Sequence, residues 1–330
     1  MNEKPYLSIV VASRNDDHDG TLLFRMQTFL ATLLYQLSAV TLQVELIIVE
    51  WNPPKDKARL KKVLSFAAKG PNTLIRIVTV PESVHRKFPN SDRLPLFQFI
   101  AKNVGIRRAK GKFIVATNID VLFSNTLVEF LSKLSLSKNV VLRAVRFDVP
   151  KKLGDITTAE RIIHNCELHK LRAFWPWGTE ELYANRMNLV SKYITRLRLK
   201  LYNGIFTNAC GDFTLMYKNN WFKLRGYPEF PLHGVKIDSL LLHSAISYGF
   251  SQQILPEHLC VYHIDHPHSW TSEKSEGLLE YYRAKGIPTI ERKEYLWLVK
   301  KMQSEKYTLR LNDDHWGLAK EKLTEFKMLG

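Results

Sequence analysis

Residues 102–120, KNVGIRRAKGKFIVATNID, run from the end of an amphipathic helix into an apolar strand and then directly into a polar triplet. The helical spacing covers Leu94 to Ala109, the strand Lys112 to Thr117, and the triplet is Asn118-Ile119-Asp120. Upstream the same alternation repeats. Tyr6 to Ser13 (YLSIVVAS) is a β-branched run, Leu22 to Leu37 has helical spacing, and Val44 to Glu50 (VELIIVE) is a second apolar run. Lys57 to Lys69 reads as a basic amphipathic helix and Leu74 to Val80 (LIRIVTV) as a third strand. Strands and helices in turn predict a Rossmann-like α/β fold: a mostly parallel central sheet flanked by helices, with ligands at the carboxyl ends of its strands.

The bulk properties fit that fold. A chain of 330 residues with 45% hydrophobic and 24% charged residues is an ordinary globular protein with a large core, not a disordered or fibrous one. No apolar run approaches the roughly 20 residues of a membrane span, and Met1 to Lys4 do not open a signal peptide, so a cytosolic protein is expected. Cys166, Cys210 and Cys260 are far apart, without a CxxC pair, and read as reduced thiols. The net charge of +16 favours anionic ligands. A solvated basic surface accounts for it without a dedicated nucleic-acid partner.

Beyond residue 125 the alternation becomes irregular. Thr126 to Leu136 looks helical, Val140 to Phe147 extended, and Pro150 to Trp177 is a mixed segment rich in His and aromatic residues. Leu182 to Tyr202 is an amphipathic helix whose apolar positions, Val190, Ile194, Leu197 and Leu201, follow 3/4 spacing, with Arg186, Lys192, Arg196, Arg198 and Lys200 on the other face. That basic face either meets an anionic membrane surface or is the solvated side of a helix packed on its own domain. Phe213 to Tyr217 reads as a strand, Ile237 to Tyr248 as a helix, and Leu278 to Leu329 as mostly helix.

Three polar segments fall at the expected carboxyl edge: Ser13-Arg14-Asn15-Asp16, Glu50-Trp51-Asn52 and Asn118-Ile119-Asp120. Such a rim can hold a nucleotide, with carboxylates accepting from a base and cationic or amide groups meeting ribose and phosphates. A diphosphate leaving group is best stabilised by a divalent cation, and Asp120 at a strand end is a natural oxygen ligand for one. Taken alone, the same residue serves equally as a turn former or helix cap. Further along come Cys210-Gly211-Asp212-Phe213, Trp221 to Glu229 (WFKLRGYPE), Lys236-Ile237-Asp238-Ser239 and Tyr262-His263-Ile264-Asp265-His266.

In this order, over about residues 5 to 270, these segments resemble family 2-like GT-A glycosyltransferases, which are inverting and nucleotide-sugar dependent. The resemblance implies a catalytic domain over 1–270, with a donor-binding half (1–125) and an acceptor and catalytic half (126–270), followed by a helical extension over 271–330. It puts Glu50 on the donor base, Asn118 and Asp120 at the DxD motif for metal and diphosphate, and Asp238 as the general base. His263 or His266 would complete the metal site. Asn118 departs from the motif, which expects Asp there. The implied cofactor is Mn2+ or Mg2+, the donor most naturally a UDP-sugar, and the acceptor a hydroxyl of a glycan or lipid-linked sugar.

Several residues keep two readings. Asp212, beside Gly211, is a rival base, an acceptor contact or a turn at the start of a strand; Asp238 in a first helical turn also complements the helix dipole. Strand alternation expects only one of His263 and His266 to ligate, with His263 preferred. Phe174-Trp175-Pro176-Trp177-Gly178 is either an aromatic platform for an acceptor sugar, through Trp175 and Trp177, or a packed loop, and Trp270 is a weaker candidate for that role. Arg14, Asn103 and Arg107 could reach the donor or lie on helix surfaces. Asn312 to Gly317 has metal-like composition but suits a helix cap. The competing functions are a sugar nucleotidyltransferase, disfavoured by the glycine-poor SRNDDHDG after the first strand, a non-enzymatic anion-binding module, and a donor-binding pseudoenzyme.

Overall fold

The computed structural model describes residues 4–16, 20–133, 136–151, 158–182, 189–266, 275–306 and 309–328. The chain opens with β1 (Leu7–Ser13), α1 (Leu22–Ser38), β2 (Val44–Trp51), the single turn α2 (Leu60–Val63) and β3 (Thr73–Val80). Then follow α3 (Glu82–His85), α4 (Gln98–Arg108) and β4 (Phe113–Thr117). β1 pairs in parallel with both β2 and β4, and β2 with β3. The chain therefore steps outward from β1 to β3 and returns to add β4 on the opposite side of β1. Between β1 and β4 the winding reverses, and a crevice opens beyond their carboxyl ends.

These strands are covered on both faces, which is why they read as near-continuous apolar runs. Alternation along β1 sends Leu7, Ile9 and Val11 into one core layer, with α1, and Val10 and Ala12 into the other, with α4. α4 lies so close that a Cβ on Gly105 would sit 2.5 Å from Val10 Cγ1, so only glycine permits this helix–sheet approach.

The second half continues with β5 (Val121–Phe123), α5 (Asn125–Ser132), β6 (Val140–Arg143), β7 (Arg146–Val149), α6 (Ala159–Leu168), β8 (Arg172–Trp175) and β9 (Gly178–Glu181). After these come α7 (Leu189–Leu201), β10 (Phe213–Tyr217), α8 (Lys218–Leu224), α9 (Ile237–Ser247), β11 (Ser251–Ile254) and β12 (Val261–Ile264). The tail holds α10 (Ser275–Ala284), α11 (Arg292–Ser304) and β13 (Thr324–Met328). Among the described residues the main sheet has the order β11-β6-β10-β4-β1-β2-β3-β13, and a second sheet has the order β5-β12-β7-β8-β9. The architecture is mixed α/β, with antiparallel β10 and β13 joining the parallel strands.

Four expectations change. The helix expected over Lys57 to Lys69 shrinks to α2, because Leu64 turns extended and carries Phe66 into the core. The extended segment Val140 to Phe147 divides between the two sheets, β6 entering one and β7 the other. The extension over 271–330 is not wholly helical: β13 pairs with β3, and buried Arg76 joins Glu325 to Glu45 across that edge. Finally, Ile194, Leu197 and Leu201, expected on the packed face of a helix, point outward, while Thr195 is buried and Leu199 and Tyr202 pack on the core. Arg186 and the side chain of Lys192 lie outside the described residues, as does Trp270.

Candidate active site

A cavity of about 690 Å³ opens in the crevice beyond β1 and β4. Ser13 and Arg14 after β1, Asn118, Ile119 and Asp120 after β4, and Gly211 and Asp212 before β10 line it, with Asp238 of α9, His263 of β12 and His266 just beyond. Leu278, Tyr281 and Tyr282 of α10 form another part of the wall. Its volume falls within the about 300–1,000 Å³ usual for ligand sites.

On one side, three ligand atoms converge. Asp120 Oδ2 lies 3.9 Å from His263 Nε2 and 3.7 Å from His266 Nε2, and all three groups' ligand atoms fall within 4.8 Å of one another. Alternation would have separated two histidines three apart, but β12 ends at Ile264, so His266 lies past the strand where alternation no longer governs direction. β12 lies between β5 and β7, with His263 opposite Val121 and Asp148, and this pairing carries it to Asp120. Its Nδ1 is 3.2 Å from Asp148 Oδ1 and 2.9 Å from Arg146 Nη2. Either tautomer therefore has a partner, and the one donating Nδ1–H to Asp148 leaves Nε2 directed at the other two groups, a common orientation of metal-binding histidines.

A divalent ion fits this donor set. One carboxylate and two imidazoles converge on a cavity wall, leaving positions for ligand oxygens. Two imidazole nitrogens among three donors suit a first-row transition-metal ion better than Mg2+, which prefers oxygen. Buried Arg25 of α1 also pairs with Asp120 Oδ2. Burial pushes the Asp120 carboxyl up, but the charges of His263, Arg25, His266 and Arg146 outweigh it and hold the group below its ordinary value.

Asn118 takes no part in that cluster. Its amide donates to Asp212 Oδ1 at 2.6 Å, and its carbonyl oxygen accepts from Gln98 Nε2 at 2.8 Å. An aspartate here would set two carboxylates against each other. Asp212 Oδ2 accepts from Arg146 Nη1 at 2.8 Å, and Thr117 Oγ1 donates to the Asp212 carbonyl at 2.6 Å. Arg146 also binds Asp148, whose other oxygen accepts from Arg172. Burial pushes the Asp148 carboxyl up, yet Arg146 and His263 bring it down to about 2. Asp212 is thus bound on both oxygens.

Asp238 is differently placed. Oδ2 accepts from the Gly211 backbone N–H at 2.8 Å and Oδ1 from that of Ser239 at 2.9 Å, with no cationic side chain bonded to it among the described residues. Burial raises its carboxyl above the ordinary value, which suits it to accept a proton. A Cβ on Gly211 would stand 3.0 Å from Oδ2, so glycine allows the close approach. Below, buried Lys102 donates to the Gly211 carbonyl at 2.8 Å, so this residue is held at both its N–H and its carbonyl. Ala209 (φ 50°) and Lys236 (φ 66°), both on the cavity wall, adopt the left-handed conformation disfavoured for residues with a Cβ.

Other candidates fall elsewhere. Glu50 is 2% exposed, does not line the cavity, and binds Leu60 N–H at 2.7 Å and Arg59 Nε at 3.0 Å, anchoring α2 instead of facing a base. Asn15 donates to the Ala58 carbonyl, and Asn103 joins Tyr227 and Glu229. Arg107 stacks on Trp316. Trp175 is fully buried, donating to Glu180 with Trp177 stacked on it, so these rings form a packed corner. Among the described residues, Phe99, Phe174, Tyr281 and Tyr282 are the aromatic side chains that line the cavity. Arg25, Arg146 and Asp148 join the site without having stood out in the sequence as site residues. Their signal was present: Arg25 lies on the apolar face of α1, and Arg146 and Asp148 interrupt an apolar strand on one face.

No family model matches the chain, and no curated protein matches it. Similar solved structures include the mannosyltransferase PcManGT from Pyrobaculum calidifontis in complex with GDP-Man and Mn2+, at 11% identity and a TM-score of 0.46, covering 92% of this chain and 70% of that one. Another is S. aureus TarS 1-349 in complex with UDP, at 10% identity and a TM-score of 0.42, covering 92% of this chain and 72% of that one.

Proposed function

We propose that the chain is a glycosyltransferase that moves a sugar from a nucleoside diphosphate donor, a UDP-sugar in the first instance, to an acceptor hydroxyl with inversion. The observation that carries this reading is a single cavity, at the switch point of a doubly wound sheet, lined both by the raised carboxyl of Asp238 and by the Asp120–His263–His266 cluster. The ordered motifs of the sequence support it independently.

Asp238 accepts the proton of the acceptor hydroxyl as that oxygen attacks the anomeric carbon and the bond to the diphosphate breaks. A positioned base contributes about 10²- to 10⁴-fold in rate. The Gly211 and Ser239 N–H groups fix its carboxylate, and Lys102 fixes Gly211 from beneath. Arg14 and Arg25, both on the cavity wall, place positive charge where a diphosphate would lie. Asp120, His263 and His266 would hold a divalent ion, and when bound it supplies charge neutralisation for the departing diphosphate. Tyr281 and Tyr282 of α10, in place of Trp175 and Trp177, offer the stacking surface for a sugar.

The test is a panel of UDP-, GDP- and other nucleotide sugars, scored for donor binding and for release of nucleoside diphosphate with and without Mn2+. Release that needs Asp120 and acceptor supports the assignment. Failure to bind any nucleotide sugar overturns it.

A further inference from the structure

α7 carries an apolar stripe that the fold leaves uncovered. Tyr193 is 70% exposed, Ile194 49%, Leu197 45% and Leu201 69%. At 3.6 residues per turn these four fall within an arc of roughly 100°. Thr195, Leu199 and Tyr202, which turn to the protein, lie on the opposite side. The stripe is therefore not the half of the helix that folding buries; the helix has a second apolar face.

Cations border that face. The segment Leu189–Leu201 contains Lys192, Arg196, Arg198 and Lys200 and no carboxylate. Arg196, although 3.4 Å from Glu257, is 63% exposed in its side chain, and Lys200 is exposed beside it on one border. Arg198, stacked 4.2 Å over Trp177, stands on the other. Long cationic side chains flanking an apolar stripe can reach phosphate headgroups while the apolar tips enter the acyl boundary. The net charge of +16 adds attraction to an anionic surface. A second copy of the chain fits poorly, because it would bring the same cations into contact.

We propose that α7 docks the protein on an anionic lipid surface. From α7 the chain runs through residues 202–206 directly into Thr207, Asn208 and Ala209 on the cavity wall, so docking sets that wall close to the bilayer. This deepens the transfer reading, and rests on it only in making the acceptor a lipid-linked sugar.

The test is co-sedimentation of the full chain with phosphatidylcholine vesicles, with and without phosphatidylglycerol. The wild type should partition only into the anionic vesicles, and less so as salt rises. The triple variant Ile194→Ser, Leu197→Ser, Leu201→Ser should lose about tenfold or more of that partition with an unchanged far-ultraviolet spectrum. Lys200→Glu, which leaves the apolar stripe intact, should lose several-fold. Wild type that ignores phosphatidylglycerol, or a triple variant that sediments like wild type, overturns the proposal. So does a wild-type dimer in ultracentrifugation that the triple variant abolishes. Vesicle binding needs no donor, so failure of donor binding would remove the enzyme assignment while leaving the docking surface standing.

Discussion

Replacing Lys102 by methionine should leave the protein equally or more stable near pH 7 yet less stable near pH 9.5. Burial pulls the Lys102 ammonium from 10.5 down to about 8, against the opposing pull of Asp212 and Asp238. At about 1.36 kcal/mol per unit, holding that charge in the fold at neutral pH costs roughly 3 kcal/mol. Methionine fills similar space without charge. It also leaves the Gly211 carbonyl without its 2.8 Å donor, a loss of about 1–3 kcal/mol. The variant should then gain about 0–2 kcal/mol at pH 7. As pH rises past 8 the folded lysine gives up its proton while the unfolded one keeps it until about 10.5. In that window the unfolded chain binds more protons, so wild-type stability rises with pH, by about 2 kcal/mol at pH 9.5. The variant lacks this gain, and the order reverses. Urea unfolding of both proteins at both pH values, followed by tryptophan fluorescence, measures the difference with other titrating groups cancelled. A variant less stable by more than about 1 kcal/mol at pH 7, with the same deficit at pH 9.5, would refute the reasoning and make Lys102 a stabilising partner of the two aspartates.

Other outcomes follow from the site. Asp238→Asn should bind donor as wild type does and lose about 10²- to 10⁴-fold in transfer. In wild type the acid limb of the rate profile should lie above the ordinary aspartate value of 3.8, since activity appears only as this raised carboxyl loses its proton; full activity of the variant would reassign the base to Asp212. Asn118→Asp should lower the melting temperature by setting a second carboxylate on Asp212 Oδ1, whereas a stabler variant with tighter Mn2+ binding would mean that position 118 belongs to the metal site. Removing His263 or His266 should weaken Mn2+ binding measured by electron paramagnetic resonance, and Asp148→Asn should weaken it about 10- to 100-fold through His263.

The parallel half was legible because strands buried on both faces leave near-continuous apolar runs, and β1, β2, β3 and β4 each show one. The switch-point rim followed from their order. The second sheet was not, since β8 and β9 are four-residue strands whose pairing depends on contacts distant in sequence. Asp120 and Asp238 were visible as acids at element ends. The partners that define them, Arg25, Lys102 and Arg146, are cations in the interior, where composition alone predicts aliphatic residues, and for Arg25 and Arg146 the one trace was a charge interrupting an apolar face. The aromatic pair Trp175–Trp177 shows the converse, a motif attractive in sequence that serves packing.

β13 has a consequence for how the protein is made. Until residues 324–328 reach it, β3 presents one unpaired edge of an apolar strand, the kind of edge that recruits other chains. Arg76 waits equally long for Glu325. At about 5–20 residues per second, the ribosome takes roughly 10–50 s to supply that strand after β3 has been synthesised. During that interval the nascent N-terminal half has this strand edge open. Deleting 324–328 would make the exposure permanent, so soluble yield should suffer before the cavity chemistry does.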